Sequence, residues 1–277
     1  MARIVPLLSV ASLALSGLAG CGDRLPATPQ TGGDAPQAAD LAEPTAATAT
    51  ATAVAKRGTA AGVSVESKDD WLEFAYSYPA SVTAIAPLKA RFDAERDETR
   101  TRMAAEGKAY KTEFPESGAT YGFEKHWKVV TDLPRFLSLS ADGYEYTGGA
   151  HGMPFTQGLV WDREKGVALE PLSFFLSGAA LDAAAQAPFC KELDRQRREK
   201  RGIETGGDSS FNECLKPSEM VVLLGSAGRK AFDRVGIIAL PYSAGPYAEG
   251  SYEVTLPVTP AILEAVKPEY RASFAAS

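Results

Sequence analysis

The chain has 277 residues, 45% hydrophobic and 23% charged, with 29 basic against 35 acidic side chains and a net charge of −6. That is enough apolar content for a sizeable core, and the acidic balance argues against general binding to nucleic acid or to an anionic membrane surface. Three cysteines and two histidines leave little material for a metal centre, and no His-x-x-x-His or Cys-x-x-Cys spacing occurs.

Arg3 and an apolar run from Val5 to Leu15, too short to span a bilayer, lead into Leu18-Ala19-Gly20-Cys21. This lipobox predicts a lipoprotein signal peptide over 1–20 and lipidation of the Cys21 thiol, with the membrane met only through that lipid. Gly22 follows the cysteine where Asp would favour retention, so the expected location is the bacterial outer membrane, facing the periplasm. Removing Arg3 leaves 28 basic against 35 acidic residues, net −7. Residues 22–62 are almost all Ala, Thr, Pro, Gly, Gln and Asp, without an aromatic residue. Such composition cannot offset the entropy of ordering, so 21–62 reads as a lipidated tether; about 40 residues of flexible coil average ~35 Å end to end.

Order is expected from Val63. Trp71-Leu72-Glu73-Phe74-Ala75-Tyr76-Ser77-Tyr78 alternates as a strand does and ends at Pro79. Pro87 suits the first turn of a helix reaching about Gly107, with Leu88, Phe92 and Met103 on its apolar side. From Tyr121 to Leu169 the pattern is β. Asp142-Gly143 reads as a tight turn there, Asp162 to Gly166 as a longer hairpin loop, and His126 as a structural strand residue. A helix over Leu181–Arg201, divided or kinked at Pro188, is followed by strand-sized apolar runs at 221–224, 236–240 and 252–256 and a short helix at 260–266. Strand groups with inserted helices imply α+β: antiparallel sheets in two intimately packed subdomains, 63–147 and 148–277.

With Cys21 lipidated, Cys190 and Cys214 remain, and an oxidising compartment favours their disulfide; two buried free thiols are the alternative. Closing that loop of about 25 residues would stabilise the fold by roughly 3.5 kcal/mol.

Tyr146-Thr147-Gly148-Gly149-Ala150-His151-Gly152 is the most distinctive internal stretch. Its glycines permit positive φ and close approach, and His151 sits where an imidazole can bind, titrate or catalyse, or bridge strands structurally. With Phe155-Thr156-Gln157-Gly158-Leu159-Val160-Trp161-Asp162, with Leu240-Pro241-Tyr242-Ser243-Ala244-Gly245-Pro246-Tyr247, and with Tyr252-Glu253-Val254-Thr255-Leu256-Pro257, it resembles a domain family of unknown function. That family (DUF3298-type) occurs in the extracytoplasmic part of RsiV-type anti-sigma factors and beside the catalytic domain of PdaC-type peptidoglycan deacetylases. The Trp71–Pro79 strand and the helix after it resemble the smaller PdaC-type (DUF4163) domain that precedes it. The resemblance implies an α+β envelope domain, and RsiV-type ectodomains are receptors for lysozyme. Neither a transmembrane helix with a sigma-binding segment nor deacetylase metal motifs occur in this sequence.

No catalytic set stands out. There is no Gly-x-Ser-x-Gly elbow and no phosphate-cradling loop, and Asp142 and Glu145 are the acids nearest His151 in sequence. No cofactor is expected. The basic run Lys191, Arg195, Arg197, Arg198, Lys200 and Arg201 reads as a salt-bridged, solvated helix end or as a surface for an anionic polymer. Tyr242, Tyr247 and Tyr252 read as a carbohydrate-stacking surface or as sheet-packing aromatics. The expectation is a noncatalytic envelope lipoprotein that binds a lysozyme-like cationic protein or peptidoglycan through Thr147, Gly148, Gly149, His151 and Gly152 or through those tyrosines. A cell-wall hydrolase or deacetylase using His151 and a structural scaffold are the alternatives.

Overall fold

A computed structural model describes residues 61–202 and 210–277. Cys21, the signal peptide and nearly all of the tether lie outside them. Alternating polarity builds a six-stranded sheet in chain order: β1 Val63–Lys68, β2 Leu72–Tyr78, β3 Tyr121–Asp132, β4 Phe136–Tyr146, β5 Met153–Asp162 and β6 Val167–Leu169. After a short turn of helix, α1 Ala80–Thr83, the long helix α2 Ala86–Glu113 connects β2 to β3. A connection of that length allows the β2–β3 pair to be parallel, while every other neighbouring pair is antiparallel. Helix α3 Gly178–Arg201 then leads to a three-stranded antiparallel sheet of β7 Val221–Gly225, β8 Arg234–Ala239 and β9 Tyr252–Pro257, before α4 Pro260–Ala265. The class is α+β, as the sequence implies. No described helix is long and apolar enough to cross a membrane.

Two apolar cores lie on opposite faces of the large sheet. On one, Phe92 of α2 stacks on Trp127 at 4.6 Å among Leu72, Phe74, Tyr76 and Phe123. On the other, the β4–β5 end of the sheet meets β7, and Phe136 and Val160 join Phe174, Phe189, Leu193, Phe232 and Ile237. This second layer stops short of β1 and β2, whose side chains Glu66 and Glu73 stay exposed. One face of the sheet is therefore covered for about half its width.

Asp142-Gly143 is not a turn. Gly143 lies inside β4 opposite Phe155, and a Cβ there would come within 2.2 Å of the Phe155 ring and 2.6 Å of the Glu124 carbonyl. The glycine serves close packing rather than chain reversal. The turn after β5 is as read: the Gly166 N–H donates to the Asp162 carbonyl, with Gly166 at φ 67°. Pro188 is carried inside α3, which runs on to Gly202 as a left-handed cap at φ 64°.

Cys190 of α3 is bonded to Cys214, with Cα atoms 5.3 Å apart. Cys190→Ser with Cys214→Ser should lower unfolding free energy by roughly 3.5 kcal/mol. Denaturation with and without reductant checks this: reductant should weaken the wild type to the level of the double variant and leave the variant unaffected.

Candidate functional site

The Thr147–Gly152 loop joins β4 to β5, and Gly148 and Gly149 take φ values of 98° and 86°. A β-branched side chain at either would be strained, so the paired glycines are required by the path of the loop. Tyr146 closes the turn by donating its hydroxyl to the Gly149 carbonyl at 3.0 Å. The Gly152 N–H donates to the Tyr144 hydroxyl at 2.8 Å, and a Cβ at Gly152 would lie 2.5 Å from the Glu145 carbonyl. The loop is tied at both ends.

Its imidazole is exposed and engaged on both nitrogens. His151 Nδ1 lies 3.0 Å from the Gly152 carbonyl, and Nε2 lies 3.3 Å from the Tyr242 hydroxyl. Donation from Nδ1–H to the carbonyl leaves Nε2 as acceptor for the phenol. The ring stacks on Tyr247 at 4.0 Å, and the Tyr247 hydroxyl donates to the same Gly152 carbonyl at 3.0 Å. Burial, with Tyr144 beside it, pushes the Tyr247 phenol up, which keeps it a neutral donor.

Tyr242 and Tyr247, 91 and more residues along the chain, thus join the His151 loop, a meeting of two stretches that the sequence offered only as separate candidates. Tyr252 does not: it is fully buried and offers no surface. Its hydroxyl donates to Glu249, with the Lys200 ammonium over its ring at 3.9 Å. Asp142 and Glu145 also turn elsewhere, to Lys128 at 2.7 Å and to Arg102 of α2 at 3.7 Å. His126 pairs its Nδ1 with the Ser77 hydroxyl at 2.9 Å across the parallel strands.

The basic end of α3 explains how the tyrosine loop is held. Arg197 is fully buried and donates to the Ala244 carbonyl at 3.1 Å, to the Glu213 carbonyl at 3.1 Å and to Asp194 at 2.9 Å. Arg201 forks onto Glu249 at 2.8 and 3.0 Å, and Lys200 donates to the Glu249 and Ser251 carbonyls. These three cations bind the 244–251 loop of the protein itself and are not a free patch for a polymer. Nothing in the local charge pattern distinguishes them from the exposed Arg198; only the distant loop does.

Around the histidine, Tyr121, Tyr144, Tyr146 and His151 border an open cleft of about 470 Å³, with Glu73, Gly122 and Glu124 along its strand side. Phe114, Tyr110 and Tyr121 continue the row of rings at 5.1 and 5.4 Å, and Tyr110 lies against Gly148. Sequence reading did not reach Tyr121, Glu73 or Glu124 as site residues. The alternation of Glu73 and Glu124 with buried Phe74 and Phe123 is the available signal for the two acids, but alternation does not tell which exposed face a loop will border, and Tyr121, on the same face as Phe123, carries no such signal.

Acid should loosen the tyrosine loop and, at the far end of β5, the turn that follows it. Burial pushes the Glu249 carboxyl up, but its bonds from Arg201 and Tyr252 outweigh that and hold it below the ordinary range. Burial likewise raises Asp162, and the Arg135 guanidinium with the Lys165 and Glu164 N–H groups lowers it further than burial raises it. Depressed carboxyls stabilise the folded state above their unfolded values, about 4, and this is lost as pH falls through the folded values. Melting temperature should therefore be flat from pH 7 to about 5 and fall below ~4, less steeply in Glu249→Gln; a profile identical in the two proteins would remove Glu249 from the account.

Residues 65–154 match the family model described as Deacetylase PdaC. The sequence resemblance to a PdaC-type domain therefore holds over that segment, which contains the His151 loop. No curated protein matches the chain. Among solved structures, a DUF3298 family protein from Pseudomonas aeruginosa PAO1 is 19% identical with a TM-score of 0.46, covering 78% of this chain and 96% of its own. A DUF3298 family member from Bacteroides fragilis NCTC 9343 is 17% identical with a TM-score of 0.44, covering 76% and 95%.

Proposed function

We propose that this chain, a PdaC-type domain over residues 65–154, is a noncatalytic lipoprotein of the bacterial envelope that binds a cell-wall glycan at the aromatic cleft beside His151. The lipobox at Cys21 supports anchoring by lipid, and Gly22 supports the outer membrane as the destination. The observation that carries the binding reading is Tyr242. It is 49% exposed, and it holds φ 70°, a left-handed conformation that costs a bulky residue roughly 1 kcal/mol. Strain kept at an exposed ring, beside a histidine and a second tyrosine, is what a stacking surface would require and a packing role would not.

Catalysis has less support. Both nitrogens of His151 face a carbonyl and a phenol, and neither Asp142 nor Glu145 is turned to it. Among the described residues no group of three or more His, Cys, Asp or Glu is placed to hold a metal ion. The acidic excess favours a second reading, capture of a lysozyme-like cationic protein, which the resemblance to RsiV-type ectodomains implies.

Tyr242→Gly separates stacking from packing. Glycine relieves the left-handed strain, so the melting temperature should hold or rise, while retention on purified peptidoglycan should fall about fivefold, the value of one lost ring contact. Unchanged retention with tight, salt-resistant binding to lysozyme would replace the glycan by the protein partner.

A further inference from the structure

The uncovered half of the large sheet continues the aromatic cleft into a second hollow. That hollow, about 430 Å³, lies over β1, β2 and β3 and shares Glu73 and Glu124 with the first. Strand register explains the shape. Glu66, Ala75, Glu124 and Tyr144 stand opposite one another across β1 to β4, and Glu73, Gly122 and Tyr146 form the next row. Neighbouring strands lie about 4.8 Å apart, so the first row spans roughly 14 Å. Ala75 and Gly122 make its floor, while carboxylates and phenols make its sides.

Gly122 is the informative residue. It sits within β3 without a left-handed φ, and a Cβ there would meet nothing closer than the Tyr146 Cβ at 3.7 Å. Neither backbone conformation nor packing calls for glycine. A strand glycine that the fold does not need marks a place where something else approaches the backbone.

The charge around this floor is one-sided. Lys68 is paired with Glu73 at 2.9 Å and Lys128 with Asp142 at 2.7 Å. Lys125 belongs to the opposite face, where it is buried against Glu95 of α2 and Gln157. Glu66 and Glu124, both exposed, have no ion pair among the described residues. An anionic glycan would be repelled here. A flat ring edged by tyrosines and carrying a positive group would not.

We propose, building on the glycan reading above, that the groove selects a glycan with free amino groups, its rings lying against Tyr144 and Tyr146 and an ammonium meeting Glu124. The site is thus one for de-N-acetylated amino sugar rather than for neutral glycan alone. The test is titration of the full chain with a β-1,4-linked glucosamine oligomer and with the N-acetylglucosamine oligomer of the same length. The amine form should bind about fivefold or more tightly at low salt, with the margin narrowing as salt is raised. Glu124→Gln should abolish that margin by weakening the amine form more than the acetylated one. Gly122→Val should fill the floor and remove binding of both without loss of stability, since a β-branched residue suits a strand and finds space. Equal affinity for the two oligomers, with Glu124→Gln silent and Gly122→Val still blocking, would overturn amine selection and leave the glycan reading standing. Binding of neither oligomer by the wild type would overturn both.

Discussion

Arg197→Ala is expected to lower the unfolding free energy by about 3 kcal/mol or more, whereas Arg198→Ala, one residue on and exposed, should change it by less than ~0.5 kcal/mol. Both variants remove one positive charge from the same helix end, so the difference isolates what the buried guanidinium does. Arg197 is fully buried, and its loss would strand the Glu213 carbonyl, leave the Ala244 carbonyl to Arg201 alone and deprive the Asp194 carboxylate of its guanidinium. An acceptor left without a donor costs about 1–3 kcal/mol, more for a charged one. Water admitted to the vacated space would recover part of that. The effect should also reach the site, because Ala244 lies between Tyr242 and Tyr247. Chemical denaturation measures the stability loss, and the imidazole resonances of His151 report whether its two tyrosine contacts loosen. If both variants melt alike, Arg197 is not the clamp described.

Much of the fold could be read from the chain because alternation is a local signal. The Trp71–Tyr78 strand, the helix beginning at Pro87 and the 252–256 strand all stand close to where their patterns put them. The tight turn expected at Asp142-Gly143 failed for a definite reason: glycine beside aspartate marks a turn only if the glycine is needed for backbone freedom, and Gly143 is needed for the Phe155 ring. Parallel pairing of β2 with β3 was hidden too, since a parallel strand exposed on one face alternates just as an antiparallel one does. At the site, the glycines of the His151 loop advertised their positive φ. Tyr252 could not be told from Tyr242 and Tyr247 by spacing, because its burial depends on Glu249 and on Lys200 of a helix about fifty residues away. The basic run on α3 was ambiguous for the same reason. Lys200 and Arg197 reach distant backbone carbonyls, which leave no mark in a sequence, and Arg201 reaches a carboxylate almost fifty residues away.

Gly158→Val should be the second severe lesion, lowering stability by about 3 kcal/mol, while Gly118→Ala should be near neutral. Gly158 lies in β5 opposite Ser140, where the large sheet meets β7 of the small one. A Cβ at this position would stand 2.6 Å from the Val222 carbonyl, 2.9 Å from Pro171 and 3.0 Å from Leu223. The carbonyl belongs to backbone paired with Ile237 of β8, so it cannot swing aside as the end of a flexible side chain can. Gly118, by contrast, has nothing within 4 Å of a Cβ. Valine has good strand propensity, so a loss at Gly158 reports the close approach of two layers rather than local preference. The consequence extends to the cleft: His151 is carried by the loop before β5, while Tyr242 and Tyr247 lie between β8 and β9. Forcing β5 and β7 apart should separate the histidine from its tyrosines even in the molecules that remain folded. Gly158→Val should therefore combine a lowered denaturation midpoint with weakened glycan retention, and Gly158→Ala should fall between it and the wild type. A midpoint for Gly158→Val equal to that of Gly118→Ala would mean that the layers have room to spare, and the coupling between core and cleft would go with it.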